Sequence, residues 1–516
     1  MQLHEIMQTA LDRPADTRAV EYKSGWYSWG WLRQLATAID EALTGSGVHR
    51  SARVGVVARN NPAFVGALLT LIATQRSIVM IYAFQSSQAI AEDIRRLSLE
   101  AVVADAGDWR DDVTAAAREA GILSLAIEGN QNSIRCITTR SSSAAAPLAY
   151  APSAAIEMLT SGTTGAPKRI ALSFAAIARS MVGESSENAN SFPDATNLAP
   201  ALIMFPFGNI SGLYSYFPMA ASGRPVVLLE KFTVEQWTDF IRRYRPQQIN
   251  LPPAGVHMIL DADVPVEDLS GIQYIGSGAA WLDPNAQREF LSRYGIPILL
   301  AYGATEFGGV VTAMTPELFK EFGIAKLESV GRPWAGTQVR VVDSDTGATL
   351  DAGATGILEI LTPRRGPGWV RTTDLASLDT DGFLYHRGRA DGAIVRGGYK
   401  IIPEAVAEKM SLHPSIAVTA VVGIPDHRLG EIPVAAMELR PGQPRPSDDE
   451  LRAHGRRHLY STHVPVHFRI VDQLPRTPSM KIHLPGVKSL FDDVAAGVSD
   501  GDPAAFEQRP ADGKAS

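Results

Sequence analysis

Short apolar runs alternate with helix-like segments along the first part of the chain. Residues 52–57 (ARVGVV) form a β-rich run, and residues 64–73 form an apolar helix whose start is marked by residues 60–62 (NNP). Residues 78–81 then form another strand, so this succession predicts a βαβ unit. Similar strand-like runs follow at residues 101–104, 202–205, 225–229, 273–275 and 298–301. The pattern predicts a layered α/β fold with parallel sheets.

The spacing of the apolar runs changes in the second part of the chain. Beyond Gly331, shorter strand-like segments bounded by Gly and Asp predict a small β-rich subdomain. These segments are residues 338–342, 356–361 and 382–386. After Arg389 the pattern is mixed α and β again. It contains strands at residues 417–422 and 434–439 and a helix at residues 448–459.

Length and composition support more than one domain. With 516 residues, 45% of them hydrophobic, the chain is too long for a single compact unit. We expect a large amino-terminal α/β region over residues 1–388, a junction at 389–391, and a small carboxyl-terminal α+β domain over 392–497. The tail at 498–516 is rich in Asp, Gly, Pro and Ala and is predicted to be disordered.

The charge balance narrows the class of partner. A formal net charge of -7 gives no general attraction to nucleic acid or anionic lipid, so small molecules are the expected partners. Residues 64–84 are the most apolar stretch, but Gln75, Arg76 and Ser77 interrupt it, so no membrane span is predicted. The first residues lack the features of a signal peptide, which favours a cytoplasmic protein.

Three kinds of feature are set aside: a disulfide framework, a zinc site and a serine hydrolase site. Cys136 is the one cysteine, which excludes an internal disulfide framework and fits a reducing compartment. Four histidines in the carboxyl-terminal part include i, i+4 spacing, but no HExxH or CxxC accompanies them, and a polar helix face is favoured over a zinc site. These are His454, His458, His463 and His467. No GxSxG sequence is present, which argues against a serine hydrolase.

Residues 159–170 (LTSGTTGAPKRI) carry the strongest chemical signal. Glycines that let backbone N–H groups approach phosphate oxygens are combined with hydroxyls and a cation, as a polyphosphate clamp requires. The segment is not a Walker A loop, because Pro167 precedes Lys168 and Arg169 follows it. The alternative is a Ser/Thr/Gly surface loop. The residues predicted to bind phosphate are Thr160, Ser161, Gly162, Thr163, Thr164, Gly165 and Lys168.

This segment resembles the phosphate-binding signature of the adenylate-forming superfamily, which includes acyl-CoA ligases, luciferases and the adenylation domains of peptide synthetases. The resemblance continues in order through YGATE, RTTDL, GRADGAIVRGGYKIIP and PRTPSMK, and covers essentially the whole chain. These motifs are residues 302–306, 371–375, 388–403 and 475–481. The chain is most similar to an AMP-forming acyl-CoA ligase, which implies ATP, Mg²⁺ and coenzyme A as co-substrate.

The resemblance also implies roles at the nucleotide. Tyr302 would pack near adenine, Thr305 would contact phosphate, and Glu306 would support Mg²⁺. Asp374 would hold the ribose hydroxyls, a task that suits a carboxylate because it accepts two hydrogen bonds at once. Lys481 would offset the repulsion between the attacking carboxylate and the α-phosphate.

The junction and the small domain have implied roles as well. Arg389 would contact ATP, and Asp391 would be the hinge on which the small domain rotates. Gly397 and Gly398 would let a pantetheine arm pass close to the main chain. The chain departs from the family pattern at four positions, where side chains replace the usual glycine or glutamate. These are Thr373, Met480, Ala405 and Ala407.

The family's acyl pocket maps onto small or apolar residues. They are Asn209, Gly276, Ser277, Gly278, Ala279 and Gly303. No carboxylate is present to receive an amino group, which lowers the α-amino acid interpretation and favours an aryl, polycyclic, medium-chain or long-chain acid. Two alternatives stay open: an enzyme that loads a carrier protein's phosphopantetheine, and a nucleotide-binding homologue that has lost catalysis. The oligomeric state stays open too.

Overall fold

The computed structural model describes residues 2–129, 133–141, 155–159, 169–182, 194–334, 336–396, 399–426, 429–477 and 480–497. Three predictions lie outside these residues: the phosphate-binding segment 160–168, the glycine pair Gly397 and Gly398, and the tail 498–516. The chain divides into two compact units. The first contains the residues up to His386 together with Met480 and Lys481, and the second contains Arg387–Thr477 and the residues from Ile482 on.

Strands and helices alternate through most of the described residues. The strands are β1 (Arg18–Tyr22), β2 (Gly25–Ser28), β3 (Arg53–Ala58), β4 (Ser77–Tyr82), β5 (Ala101–Asp105), β6 (Leu123–Glu128), β7 (Ser133–Thr138), β8 (Ala155–Leu159), β9 (Arg169–Ser173), β10 (Ala201–Ile203), β11 (Val226–Leu228), β12 (Gln248–Asn250), β13 (Tyr274–Gly278), β14 (Ile298–Ala304), β15 (Gly309–Ala313), β16 (Arg332–Pro333), β17 (Gln338–Val342), β18 (Gly356–Leu361), β19 (Val370–Leu378), β20 (Leu384–Arg389), β21 (Ile394–Arg396), β22 (Tyr399–Ile401), β23 (Ile416–Asp426), β24 (Gly430–Leu439) and β25 (His467–Ile470).

The α-helices are α1 (Leu3–Leu11), α2 (Trp29–Gly45), α3 (Pro62–Ala73), α4 (Ser87–Arg96), α5 (Asp111–Glu119), α6 (Phe174–Val182), α7 (Ile210–Ser222), α8 (Val234–Tyr244), α9 (Pro253–Asp261), α10 (Pro284–Tyr294), α11 (Pro316–Phe322), α12 (Pro403–Met410), α13 (Asp448–His458), α14 (Leu484–Ser489) and α15 (Asp492–Gly497). Short 3-10 turns occupy Ala106–Asp108, Val266–Leu269, Thr305–Phe307 and Gly323–Lys326. Within the described residues, no helix is both long enough and apolar enough to span a bilayer.

The predicted βαβ unit is confirmed in a sheet ordered β7-β6-β5-β3-β4-β8-β9. β3 pairs in parallel with β4 and β5, and only the outermost pairings are antiparallel. Helix α3 is buried along its whole length, as its uniformly apolar sequence requires. Asn61 caps it by accepting a 2.9 Å hydrogen bond from the Phe64 amide, and Pro62 occupies the first turn, where no amide donor is needed.

Asn60 ties this sheet to a second one, ordered β10-β11-β1-β2. Its side-chain amide donates to the carbonyl oxygens of Phe205 and Leu229, each at 3.1 Å, and accepts from the Phe207 amide at 3.0 Å. Asn60 is 3% exposed, so the burial of its polar group is compensated by three partners. The ends of β3, β10 and β11 are thereby held together.

The sheet that carries the candidate site has the order β12-β13-β14-β15-β16. β12, β13 and β14 are parallel, and β15 returns antiparallel beside β14. An apolar core that includes Trp237, Ile275 and Phe290 packs on it. The predicted β-rich subdomain is confirmed as a sheet ordered β17-β18-β19-β20, with antiparallel pairing of β17, β18 and β19.

The second unit is α+β, as predicted. Its sheet runs β22-β21-β24-β23, with β25 parallel to β24, and helices α12 and α13 supply Val406, Met410 and Leu451 to its core. Ser447 and Glu450 form a capping box that starts α13. His454 donates a 2.9 Å hydrogen bond from Nε2 to the Lys409 carbonyl oxygen, and burial lowers the pKa of His454. No metal-binding group of His, Cys, Asp or Glu occurs within the described residues.

Candidate functional site

A cluster of polar residues lies where β14 ends. The strand stops at Ala304 and leads directly into the turn Thr305–Phe307, which Gly308 closes with a φ of 66°. Ligands bind at the carboxyl ends of strands in open α/β sheets, because the side chains of neighbouring loops converge there. Tyr302, Thr305 and Glu306, all predicted from the YGATE motif, therefore lie at the edge of the sheet where a ligand is expected.

The structure brings Asp374 next to Tyr302. The Tyr302 hydroxyl donates a hydrogen bond to one oxygen of the Asp374 carboxylate. His386 places its Nε2 atom 3.6 Å from the other oxygen, and the rings of Tyr302 and His386 stack with centroids 5.9 Å apart. The Asp374 amide donates to the Thr372 hydroxyl at 3.0 Å, and that hydroxyl donates to the Leu358 carbonyl oxygen at 2.8 Å. We call Tyr302, Asp374 and His386 the carboxylate cluster.

The carboxylate cluster is suited to hold a polar ligand. The Asp374 side chain is 17% exposed, so its charge is partly shielded from water while remaining accessible. Two aromatic planes stand beside it, which offer a stacking surface for a base. The sequence motifs do not predict His386, because it lies outside them and joins the cluster only through the pairing of strands within its sheet.

Thr373 does not distort the strand that carries Asp374. It is exposed, lies inside β19, and has an ordinary negative φ, so a residue other than glycine fits there without strain.

Met480 differs from Thr373 in its backbone conformation. Its φ is 66°, in the left-handed region that favours glycine and costs other residues roughly 1–2 kcal/mol. In α12, Ala405 is exposed and Ala407 belongs to the core of the second unit.

Glu306 offers oxygen ligands that Mg²⁺ prefers. It is half-buried, and no basic side chain pairs with it among the residues that the structure describes. Magnesium is commonly held by one or two carboxylates together with substrate phosphates and water, rather than by a cage of protein ligands. The single carboxylate of Glu306, next to the predicted phosphate-contacting Thr305, therefore fits such a metal.

The turn after Glu306 is fixed by an unpredicted pair of residues. The Tyr214 hydroxyl donates to the Gly308 carbonyl oxygen, and Arg364 donates to the Val310 carbonyl oxygen at 2.6 Å and to the Tyr214 hydroxyl at 3.1 Å. A Cβ atom on Gly309, whose φ is 123°, would fall 2.2 Å from the Tyr214 ring. Glycine is required at this position both for its backbone conformation and for this close approach.

A cavity of about 530 Å³ opens beside the same strand. Its wall is mostly apolar or small, which is the usual character of a site for an organic ligand. Five of the six predicted pocket residues line it: Gly276, Ser277, Gly278, Ala279 and Gly303. We call it the acyl cavity. Two of these residues are glycines at which the paired strands approach closely, because a Cβ on Gly303 would lie 2.3 Å from the Gly309 carbonyl oxygen and one on Gly278 would lie 2.7 Å from that of Ala301.

Asn209, the sixth predicted pocket residue, is not among those that line the cavity. It stands at the start of α7, and its side chain makes a hydrogen bond with the Tyr82 hydroxyl. Burial raises the pKa of Tyr82 to about 12, and the bond with Asn209 opposes that rise. Ser277 lines the cavity, but its hydroxyl donates to the Leu251 carbonyl oxygen at 2.7 Å.

The two junction residues form an ion pair within the second unit. Arg389 donates to both oxygens of the Asp391 carboxylate, at 2.8 and 2.7 Å. Such a two-pronged pair holds both side chains in a fixed plane. Lys481 follows the left-handed residue Met480, whose side chain packs on the apolar core of the first unit. The roles of Arg389, Asp391 and Lys481 in ATP contact, hinge motion and catalysis remain predictions.

Comparisons with known proteins identify the family of the chain. The family model "AMP-binding enzyme" matches residues 7–369, and "AMP-binding enzyme C-terminal domain" matches residues 405–481. The sulfoacetate–CoA ligase of Cupriavidus necator is 30% identical over 401 residues, covering 72% of this chain and 75% of the relative. The fatty acid–[acyl-carrier-protein] ligase ScoC of Streptomyces coeruleorubidus is 29% identical over 345 residues, covering 63% and 65%.

A solved structure shows the same fold. The crystal structure of ATP-bound MatB from Rhodopseudomonas palustris matches with a TM-score of 0.79 and 19% identity, covering 96% of this chain and 100% of that one. The predicted α/β fold with a large amino-terminal and a small carboxyl-terminal region is thereby confirmed. With both family models matched in order along one chain, the protein belongs to the AMP-binding enzyme family, the adenylate-forming enzymes.

Proposed function

We propose that the protein activates a non-amino carboxylic acid with ATP and transfers the acyl group to the thiol of coenzyme A. One observation carries this proposal: neighbouring residues of β14 serve both halves of the site. Tyr302 bonds the Asp374 carboxylate, and Gly303 lines the acyl cavity. A nucleotide held at the carboxylate cluster would therefore present its phosphates close to the mouth of a cavity suited to an organic acid.

The first half-reaction joins the acid to AMP. A carboxylate oxygen of the acid attacks the α-phosphorus, a new P–O bond forms, and the bond to pyrophosphate breaks. The Asp374 carboxylate accepts hydrogen bonds from the ribose hydroxyls and thereby orients the nucleotide. Lys481 offsets the negative charge that builds up during transfer. Glu306 would hold Mg²⁺, which when bound neutralises part of the charge of the polyphosphate.

The second half-reaction transfers the acyl group from AMP to sulfur. The thiolate attacks the carbonyl carbon of the mixed anhydride, and AMP leaves with the electron pair of the broken C–O bond. In this proposal the ion pair between Arg389 and Asp391 lies at the hinge about which the second unit would turn between the two steps. Gly397 and Gly398 would border the path of the pantetheine arm.

The acid is expected to be aryl, medium-chain or long-chain. The acyl cavity is lined mainly by apolar and small residues and has no carboxylate among its described lining residues, so an α-ammonium group would find no partner there. A screen of pyrophosphate release across aryl, medium-chain, long-chain and polycyclic acids would identify the class. Acid-dependent release is the expected result, and ATP turnover that no acid stimulates would contradict the proposal.

The thiol acceptor has a competing assignment. ScoC, whose name gives an acyl carrier protein as acceptor, favours a carrier-loading enzyme as the second candidate. Incubating the protein with acid, ATP and either coenzyme A or a phosphopantetheinylated carrier protein separates the two. Formation of the acyl-CoA supports the first assignment, whereas acylation of the carrier alone would replace it with the second.

A third candidate is a homologue that binds nucleotide without catalysis. The substitutions at Thr373, Met480, Ala405 and Ala407 suggest it, but the residues with implied chemical roles are all retained. These are Lys168, Glu306, Asp374, Arg389 and Lys481. Nucleotide binding without acid-dependent exchange of labelled pyrophosphate into ATP would favour this candidate.

A further inference from the structure

One charged side chain, Arg224, lies among the described residues that line the acyl cavity. The others are apolar, small, or neutral and polar. Arg224 precedes β11, in a segment that none of the quoted motifs covers. Neither half-reaction described above uses it. The positive charge of Arg224 in a wall that is otherwise uncharged therefore points to a property of the molecule that the cavity binds.

The cavity extends along the length of the strands. Gly278 and Ala304, the last residues of β13 and β14, line it, and so do Gln248 and Tyr274, the first residues of β12 and β13. β12, β13 and β14 are parallel, so these pairs mark opposite ends. Four residue steps from Tyr274 to Gly278 correspond to roughly 13 Å. An acid in the cavity could thus span about that distance.

Arg224 lies at the end remote from the carboxylate cluster. It comes two residues before Val226, which opens β11 and pairs in parallel with Ala201, the first residue of β10. Helix α7 ends at Ser222, two residues before Arg224, whereas Tyr214 near its start bonds the Gly308 carbonyl oxygen just beyond the end of β14. The eight residue steps from Tyr214 to Ser222 correspond to roughly 12 Å of helix. Arg224 therefore lies remote from the end of β14, beside which the reacting carboxylate would lie.

The guanidinium of Arg224 is oriented but not neutralised. Its Nε atom donates to the Ala199 carbonyl oxygen at 2.8 Å, which leaves its two terminal nitrogens as donors. Among the described residues, no carboxylate lies within ion-pair distance of it. Burial lowers the pKa of Arg224, yet an arginine stays protonated in proteins. A half-buried cation without a counter-ion costs free energy, which a bound anion would offset.

We propose that Arg224 selects carboxylic acids that carry a second anionic group at the end remote from the reacting carboxylate. The inference rests on the proposed function, because it assigns the acid to the acyl cavity. The planar fork of a guanidinium suits a carboxylate, which it can bind through two parallel hydrogen bonds. The substrate class is therefore an aryl or medium-chain acid with a distal carboxylate, rather than a fatty acid that ends in a methyl group.

A structural role is the competing explanation. The bond from Arg224 to the Ala199 carbonyl oxygen could serve only to hold the start of β10 against the start of β11. In that case, loss of the guanidinium would weaken activity with every acid to the same extent. The ratio of activities with matched acids separates the two explanations, because a purely structural defect leaves the ratio unchanged.

The test uses the full-length protein and acid-dependent exchange of pyrophosphate into ATP. A graded series of α,ω-dicarboxylic acids is compared with the monocarboxylic acids of the same chain length, and aryl acids are compared with and without a second carboxylate. Arg224→Met removes the charge and keeps the length, Arg224→Lys keeps the charge without the fork, and Arg118→Met, an exposed arginine on α5, is the matched control.

We expect the wild-type kcat/KM to favour the dicarboxylic acid of best-fitting length. Arg224→Met should lower the ratio of dicarboxylic to monocarboxylic activity by about ten- to a hundredfold, the range for a lost charge-assisted contact. In Arg224→Met, activity with monocarboxylic acids should fall far less than activity with dicarboxylic acids. Arg224→Lys should restore part of the ratio, and Arg118→Met should behave as wild type.

Three results would overturn the inference. An equal ratio in wild type and Arg224→Met, with activity retained, would refute the role of Arg224 and leave the proposed function intact. An equal loss with all acids in Arg224→Met, but not in Arg118→Met, would assign the residue a structural role. Absence of exchange with every acid in the wild type would reject the proposed function, and the inference with it.

Discussion

The carboxylate cluster and the acyl cavity share β14, yet they are built by opposite means. The cluster depends on side chains that are present: Asp374 is bonded by Tyr302 and oriented through Thr372. The wall of the cavity depends on side chains that are absent, since a Cβ at Gly278 or Gly303 would collide with a backbone oxygen of the paired strand and disturb the sheet that forms this wall. Side-chain hydrogen bonds fix one region, and the close pairing of strands at glycines fixes the wall of the other.

Because of this difference, we expect the carboxylate cluster to control the rate with every acid and the acyl cavity to control which acid is preferred. Groups that hold the nucleotide or stabilise the transferred phosphoryl group act on every acid, because every acid passes through the same adenylation step. Residues that shape the cavity act on the acid alone. Substitutions in the cluster should therefore change activity with all acids by a similar factor, and substitutions in the cavity should change the order of preference among acids.

Lys481→Ala should have the largest effect. Removal of the ammonium leaves the charge on the transferring phosphoryl group unopposed, so acid-dependent pyrophosphate exchange should fall by about 100- to 1,000-fold with every acid. Lys488→Ala, at an exposed lysine in α14, is the control and should retain exchange. Unchanged exchange in Lys481→Ala would show that another group opposes this charge.

Asp374→Asn should come next. The substitution keeps the shape of the side chain but removes its negative charge and one of the two oxygens that accept hydrogen bonds from the ribose hydroxyls. As a result, kcat/KM for ATP should fall by about ten- to a hundredfold. The fall should be the same for each acid tested. Asp345→Asn, in an exposed turn, serves as the control. If the fall in kcat/KM for ATP differed from one acid to another, the carboxylate cluster would not act independently of the acyl cavity.

Gly276→Ala tests the cavity side of the comparison. The added methyl group would start 2.5 Å from the Asn250 side-chain oxygen, so Asn250 must move and the cavity must narrow. The ratio of activities with bulky and slender acids should shift by about tenfold, while KM for ATP stays constant. Gly45→Ala, at a helix position with free space around it, should leave both quantities unaltered. A rise in KM for ATP in Gly276→Ala would show that the acyl cavity and the carboxylate cluster do not act independently.

Tyr302→Phe should have the smallest effect. It removes the hydroxyl that donates to Asp374 but keeps the ring that stacks with His386, so KM for ATP should rise by about three- to tenfold. The exposed Tyr460 provides a matched control as Tyr460→Phe. If Tyr302→Phe equalled Asp374→Asn, the hydroxyl itself would have to contact the nucleotide.

The sequence predicted the local elements well, because their signals are local. Residues 60–62 and the apolar run after them predicted helix α3, and the structure places the cap, the proline and the buried face as expected. It could not predict that Asn60 would bond the backbone at Phe205 and Leu229, far along the chain. Those partners come together only when two sheets pack.

The departures from the family pattern show a similar limit. Thr373 and Met480 both stand where the family usually has glycine, so from the sequence alone the two substitutions have the same expected effect on the backbone. In the structure, Thr373 lies in a regular strand, whereas Met480 has a φ of 66°. Whether a side chain is tolerated depends on the backbone conformation, which the identity of the residue alone does not reveal.

By itself, the sequence determined the family, the order of its elements and the residues with implied chemical roles, because contiguous motifs and apolar periodicity encode them. The tertiary structure decided what surrounds those residues. It brought His386 to Asp374, fixed the turn after Glu306 with Tyr214 and Arg364, and placed Arg224 in the wall of the acyl cavity. These contacts join segments that are distant in sequence, and their geometry arises only when the sheets pack and leave a space between them.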